Sequence, residues 1–234
     1  MIVAEFEVWH SRPVAPTRRV AISGGHLPVD PTPGYGGLLL AGIVASYVEC
    51  LDDDLRDDLY SLITELENGH RVPQPVLRHR LQVDRVGLSS STHRLRATDD
   101  QLVLELAKAA PPMPQILACV YRIGQMQTEI RRSLMTIVRS AAAWSGGPGP
   151  EVLPWLAGAA AIDLPRLASV DPQAWAMDVF GLEPEGQVSK RSIQRRFRTL
   201  LREAHPDHGG KHDTAAEAID RLNAARTILL AEGA

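Results

Sequence analysis

The chain has 234 residues, of which 44% are apolar, and a formal net charge of −3. This length allows one large domain or two small ones with a real core. The net charge argues against a protein that binds nucleic acid over its whole surface. The cysteines, Cys50 and Cys119, lie far apart, which excludes a cysteine-based zinc module and a disulfide framework.

The first 66 residues show four segments with regular patterns. Residues 2–10 alternate between apolar and polar side chains, which predicts a strand with one face in water. Residues 18–23 suit a second strand, and the glycines and prolines of residues 24–37 predict a loop. Two helices are expected next, over residues 38–51 and 55–66.

Residues 34–48 contain no charged side chain and raise the question of a membrane span. As a helix this segment would be about 22 Å long at roughly 1.5 Å per residue. The hydrocarbon core of a bilayer needs about 30 Å. Glu49 and the acidic run 52–54 follow at once. We therefore expect a buried core helix and no membrane partner.

The middle of the chain predicts extended structure and then helices. Residues 77–97 suit strands, with a turn at the serine-rich residues 89–92. Asp99 or Asp100 can cap a helix that ends near residue 110, before a group of prolines. A long helical pattern then runs over residues 115–144.

Residues 145–150, rich in glycine and proline, form the clearest linker. The sequence therefore predicts an α+β domain, mostly helical, over residues 1–144. A linker with a short helix follows over residues 145–170, and an all-α domain over residues 171–234.

The last domain begins with a short helix at Pro172 that Gly181 ends. Ser189 suits the cap of a second helix, which Pro206 stops near His205. A third helix is expected from about residue 214. The pattern predicts a helical hairpin with a short first helix across its base.

The second helix has two opposite faces. Its apolar residues recur at spacings of four, three and four, which places them on one side: Ile193, Phe197, Leu200 and Ala204. Four arginines repeat the same spacing, shifted by two residues or about 200°: Arg191, Arg195, Arg198 and Arg202. The helix therefore presents a basic ridge opposite its buried side.

These patterns, taken together, resemble the J domain of DnaJ-type co-chaperones. The resemblance covers roughly a quarter of the chain and lies in four groups of residues: Val179 to Leu182; Ile193, Phe197, Leu200 and Leu201; His205-Pro206-Asp207; and Leu222, Asn223, Ala225, Ile228 and Leu229. Arg226 stands where family members often have Tyr or Lys.

The resemblance implies a co-chaperone that stimulates ATP hydrolysis by a DnaK-type chaperone, not an enzyme in itself. His205, Pro206 and Asp207 would contact the chaperone, and the arginines, Arg191, Arg195, Arg198 and Arg202, would meet carboxylates on it. Residues 1–144 would select the client or the location by analogy. An acidic start that does not suit a signal peptide predicts a cytoplasmic protein.

Two other functions remain open on the sequence. The basic helix 189–204 could bind nucleic acid, although the net charge disfavours it. A degenerate J domain could serve assembly only. A metal site at His205, His208 and His212 is less favoured than the tripeptide interpretation. No catalytic nucleophile, cofactor motif or metal site is predicted.

Overall fold

The computed structural model describes residues 1–12, 18–23, 25–30, 32–98, 101–159, 172–182, 189–204, 218–219, 222–223, 225–226 and 228–230. Its contacts divide the chain into two compact units, Met1–Leu167 and Ala168–Ala234. The first unit extends beyond the Gly/Pro-rich segment that the sequence suggests as a linker.

One sheet organises the first unit. Its strands are β1 (Ile2–His10), β2 (Arg18–Ile22), β3 (His79–Gln82), β4 (Ser89–Thr98) and β5 (Gln101–Glu105). They lie in the order β3-β2-β1-β4-β5, with β2 and β3 parallel and the other neighbours antiparallel. The predicted mixed α+β character of the chain is confirmed.

Strand β1 is the central strand, and its alternation matches a sheet covered on one face. Ala4, Phe6 and Val8 are fully buried towards the helices. Glu5 lies on the outer face, where its Oε2 is 2.6 Å from Nε of Arg94 on β4. Both predicted N-terminal strands are confirmed.

Helices cover the other face of the sheet. They are α1 (Gly34–Val48), α2 (Asp53–Glu67), α3 (Pro112–Gly124), α4 (Thr128–Ala142) and α5 (Val152–Ala159). Every residue of α1 except Tyr47 is buried, and α1 packs on β1, β4, α3, α4 and α5. The predicted buried core helix is confirmed, although it begins at Gly34 rather than at residue 38. Among the residues described, no helix is long and apolar enough to cross a membrane.

Two predictions for residues 77–110 are wrong. Residues 89–92 begin β4 rather than form a turn, because the serines and Thr92 pair with β1. No helix follows Asp99 and Asp100, which themselves lie outside the described residues; the chain after them forms β5. Leu102 and Leu104 alternate with more exposed residues, and pairing with β4 satisfies that period of two.

The prediction of a single long helix over residues 115–144 is also wrong. The pattern divides into α3 and α4, which are separated by Gln125, Met126 and Gln127. This division into two short helices lets both apolar faces contact α1. Pro112 and Pro114 lie in the first turn of α3, where a missing N–H group costs little.

The described part of the second unit is helical. It contains α6 (Pro172–Phe180), α7 (Lys190–Ala204) and helical residues between positions 218 and 230. These segments share one apolar cluster: Ala176, Met177, Phe180, Ile193, Phe197, Leu222, Ala225, Ile228 and Leu229. The predicted apolar face of the second helix is thus confirmed at Ile193 and Phe197.

Candidate functional site

The arginine ridge of α7 is a distinctive charged surface in the described part of the second unit. Its four members, Arg191, Arg195, Arg198 and Arg202, are all exposed. Ile193 and Phe197, on the opposite side of the helix, are only 2% and 9% exposed. Burial of that side fixes the rotation of α7, so the arginines must face solvent.

The ridge is a continuous basic surface. At roughly 1.5 Å per residue, it extends about 16 Å along the helix. Gln194 and Thr199 line the same open depression as the arginines. Within the described part of the chain, no carboxylate lies within ion-pair distance of the ridge. Its guanidinium groups are therefore available to an acidic partner.

The start of α7 is fixed by a side-chain cap. The hydroxyl oxygen of Ser189 accepts a hydrogen bond from the Ser192 backbone N–H over 3.2 Å. The Ser192 hydroxyl in turn donates to the Ser189 carbonyl oxygen over 2.7 Å. Such capping is worth about 1 kcal/mol. The predicted role of Ser189 is confirmed, and Arg191 therefore lies in the first turn.

The end of α6, which packs against α7, is fixed by two backbone hydrogen bonds. Gly181 has φ of +59°, and its N–H donates to the Asp178 carbonyl oxygen over 2.8 Å. The Leu182 N–H donates to the Met177 carbonyl oxygen over 2.9 Å. These two bonds form a Schellman motif, in which glycine adopts the left-handed conformation at low cost. Leu182 then packs against the apolar cluster.

Two other arginines of this unit have structural positions that the sequence pattern did not assign. Arg196 is half-buried, and its Nε donates to the Phe180 carbonyl oxygen over 2.9 Å, which links α7 to α6. The guanidinium carbon of Arg226 lies 4.8 Å from the centre of the Phe197 ring. Spacing offered a signal for Arg196, because it lies at the margin of the apolar face and not in the ridge.

The predicted tripeptide, His205, Pro206 and Asp207, lies outside the described residues, as do His208 and His212. The ridge leads directly towards it along the chain, since α7 ends at Ala204. Of the predicted contact residues, the structure describes the four arginines, and it brings them together on one face of α7.

Buried histidines are among the polar groups within the core of the first unit. The Ala107 N–H donates to His93 Nδ1 over 3.3 Å, and His93 Nε2 lies 2.9 Å from Gln115 Oε1. His10 Nε2 lies 2.9 Å from the Ser91 hydroxyl oxygen. Burial lowers the pKa of both rings. Burial thus favours the neutral form of each ring, and each histidine serves as a hydrogen-bonding group of the core.

Among the described residues, no three His, Cys, Asp or Glu side chains gather as a metal-binding group. Comparison with known proteins does not assign the site: no family model, curated protein or solved structure matches the chain.

Proposed function

We propose that this protein is a J-domain co-chaperone that stimulates ATP hydrolysis by a DnaK-type chaperone. The observation that carries the proposal is the exposed arginine ridge on the helix that leads into His205-Pro206-Asp207. The shared apolar cluster of three helical segments supports it, since it holds the ridge on the solvent side.

The ridge suits the initial docking step. Four guanidinium groups, free of described carboxylate partners, attract an acidic surface and orient it. Arginine favours paired contacts to carboxylates because its planar fork offers two parallel N–H donors.

His205 and Asp207 would supply the second step. For a co-chaperone to accelerate hydrolysis, its contacts must favour the hydrolysis-competent chaperone conformation over the resting one. His205 acts here as a contact group, and the chaperone supplies the catalytic machinery. The arginines would raise the encounter rate, while the tripeptide would shift the conformational equilibrium.

The first unit would select the client or the cellular location, in the cytoplasm. Its core is built around α1 and is complete without the second unit's apolar cluster. This division suits a protein in which one unit contacts the ATPase and the other contacts a different molecule.

Single-turnover ATP hydrolysis by a purified DnaK-type chaperone tests the proposal. We expect the full chain to accelerate hydrolysis, and His205→Gln to abolish the acceleration. The double variant Arg195→Glu/Arg198→Glu should raise the concentration for half-maximal stimulation at least about tenfold. Arg132→Glu, at an exposed helical arginine of the first unit, is the matched control and should behave as wild type.

Two results would overturn this function. Equal stimulation by wild type and His205→Gln would remove the tripeptide from the mechanism. Absence of stimulation, together with tight and salt-sensitive binding of a DNA duplex that Arg195→Glu/Arg198→Glu weakens, would assign the ridge to nucleic acid instead.

A further inference from the structure

The two edges of the sheet differ in how they are covered. At one edge, the Gln74 side chain accepts a hydrogen bond from the Leu81 N–H of β3 over 3.0 Å. His79 of the same strand exchanges backbone hydrogen bonds with Val76, at 2.7 and 2.9 Å. The chain itself therefore satisfies three outward groups of β3, namely the N–H and C=O of His79 and the N–H of Leu81.

Strand β5 forms the other edge, and its pairing shows which groups point outwards. Ala97 of β4 exchanges backbone hydrogen bonds with Met1, so its polar groups point away from β5. Since antiparallel strands alternate, Arg96 points towards β5 and pairs with Val103. The N–H and C=O groups of Leu102 and Leu104 must then point outwards.

No described residue forms a hydrogen bond with those groups of Leu102 and Leu104. Strand β5 also contains no lysine, proline or described bulge, which are three devices that discourage pairing at an edge. Val103, at the centre of the strand, is 42% exposed on the outer face and is among the most exposed large apolar residues described. This edge has the properties of a strand that pairs with another strand.

We propose that β5 pairs with β5 of a second copy of this chain, antiparallel, about a two-fold axis at Val103. The sequence Gln-Leu-Val-Leu-Glu of β5 is self-complementary in this register. Leu102 faces Leu104 of the partner, where their outward groups exchange hydrogen bonds. Val103 faces its own copy, and Glu105 faces Gln101, so no like charges oppose each other.

A second copy fits this edge because the outward N–H and C=O groups of each β5 find hydrogen-bond partners on the other β5. The two-fold axis keeps the helices of both copies on the same side of one continuous sheet. The two Val103 side chains then cover each other on the outer face, with about 5 Å between Cβ atoms. This pairing is independent of the ATPase partner of the second unit.

The symmetry of the register gives a sharp test. Sedimentation equilibrium of the full chain should show a dimer. Val103→Lys and Val103→Glu each place two like charges opposite each other and should weaken self-association at least about tenfold. An equimolar mixture of the two variants should recover a dimer, because Lys then faces Glu. Val83→Lys, at a valine 94% exposed in the loop after β3, is the matched control and should remain dimeric.

A wild-type chain that remains monomeric in sedimentation equilibrium at about 100 µM would overturn the proposal. Dimers that persist in both charged variants would also overturn it, since another surface would then hold the copies together. Circular dichroism checks that each variant is folded. Recovery of a dimer only on mixing excludes misfolding as the cause, because misfolded chains would not regain their pairing.

Discussion

The Nε of Arg196 donates a hydrogen bond to the Phe180 carbonyl oxygen over 2.9 Å, and so joins the second helix of the C-terminal unit to the end of the first. Phe180 is fully buried and precedes the left-handed Gly181. The carbonyl belongs to the last turn of α6, where no backbone donor remains for it within the helix. One arginine of α7 therefore has a structural role, while its neighbours in the ridge face solvent.

This difference predicts that Arg196 and Arg198 respond differently to substitution by alanine. Arg196→Ala should lower the local stability of α6 and α7 by about 1.5–3 kcal/mol, the range for a hydrogen bond that involves a charged group. Arg198→Ala, the control, removes an exposed side chain without a described partner and should change stability by less than about 0.5 kcal/mol. Hydrogen exchange of residues 172–204, measured by mass spectrometry, separates the two. Equal protection in both variants would contradict the assigned role of Arg196.

Substitution of glycine by alanine should have opposite effects on stability at Gly37 and at Gly158. A Cβ at Gly37 of α1 would lie 2.5 Å from Leu134 Cδ2 and 3.0 Å from Pro33 Cβ. Gly37→Ala should therefore destabilise the first unit by about 1–3 kcal/mol through overpacking between α1 and α4. A Cβ at Gly158 of α5 meets no described atom within 4 Å. Gly158→Ala should be neutral or stabilise by up to about 1 kcal/mol.

Urea unfolding of the two glycine variants provides the measurement. The double variant Gly37→Ala/Leu134→Ala tests the cause, because removal of the Leu134 side chain opens space for the new methyl group. We expect the two changes to be non-additive, with the double variant more stable than the sum of the single effects implies. Strict additivity would show that the methyl group and Leu134 do not meet.

Thiol reactivity should distinguish the two cysteines. Cys50 is exposed, whereas Cys119 is fully buried. Burial also raises the pKa of the Cys119 thiol, which disfavours the reactive thiolate. We expect one thiol of the native chain to react with Ellman's reagent and both to react in denaturant. Cys50→Ser should abolish the rapid native reaction, and its persistence would contradict the buried position of Cys119.

Sequence patterns located features that depend on local spacing. The alternation at Phe6 and Val8 located β1, and the spacing of Ile193 and Phe197 fixed which side of α7 is buried. The candidate site was predictable for the same reason, since burial of one face of α7 determines where Arg195 points. Arg196 needed the structure, because its partner is a backbone carbonyl of another helix.

Features that depend on distant pairing were not predictable in this way. The segment that contains Leu102 and Leu104 suits a short helix or a strand by composition, and only its pairing with β4 decides between them. Likewise, the apolar period continues across Gln125 because both α3 and α4 pack on α1. A pattern of buried positions identifies the apolar face of each helix but not the point where one helix ends and the next begins.

Buried histidines predict that the first unit loses stability in mild acid. Burial lowers the pKa of His10, His79 and His93 from the usual 6.5, and it lowers the pKa of His26 to about 4 despite the opposing effect of Glu5. Below pH 6.5 the unfolded chain takes up protons that the folded chain does not bind. The contribution of these neutral rings is therefore fully present above pH 6.5 and falls as the pH drops towards about 4.

Thermal unfolding between pH 7.5 and 5 measures this loss in a window above the usual titration of carboxylates. We expect Tm to fall steadily below pH 6.5 in the wild type. His26→Gln removes one of the titrating rings and should make the fall shallower. A Tm that stays constant down to pH 5 would show that these rings do not resist protonation in the folded chain.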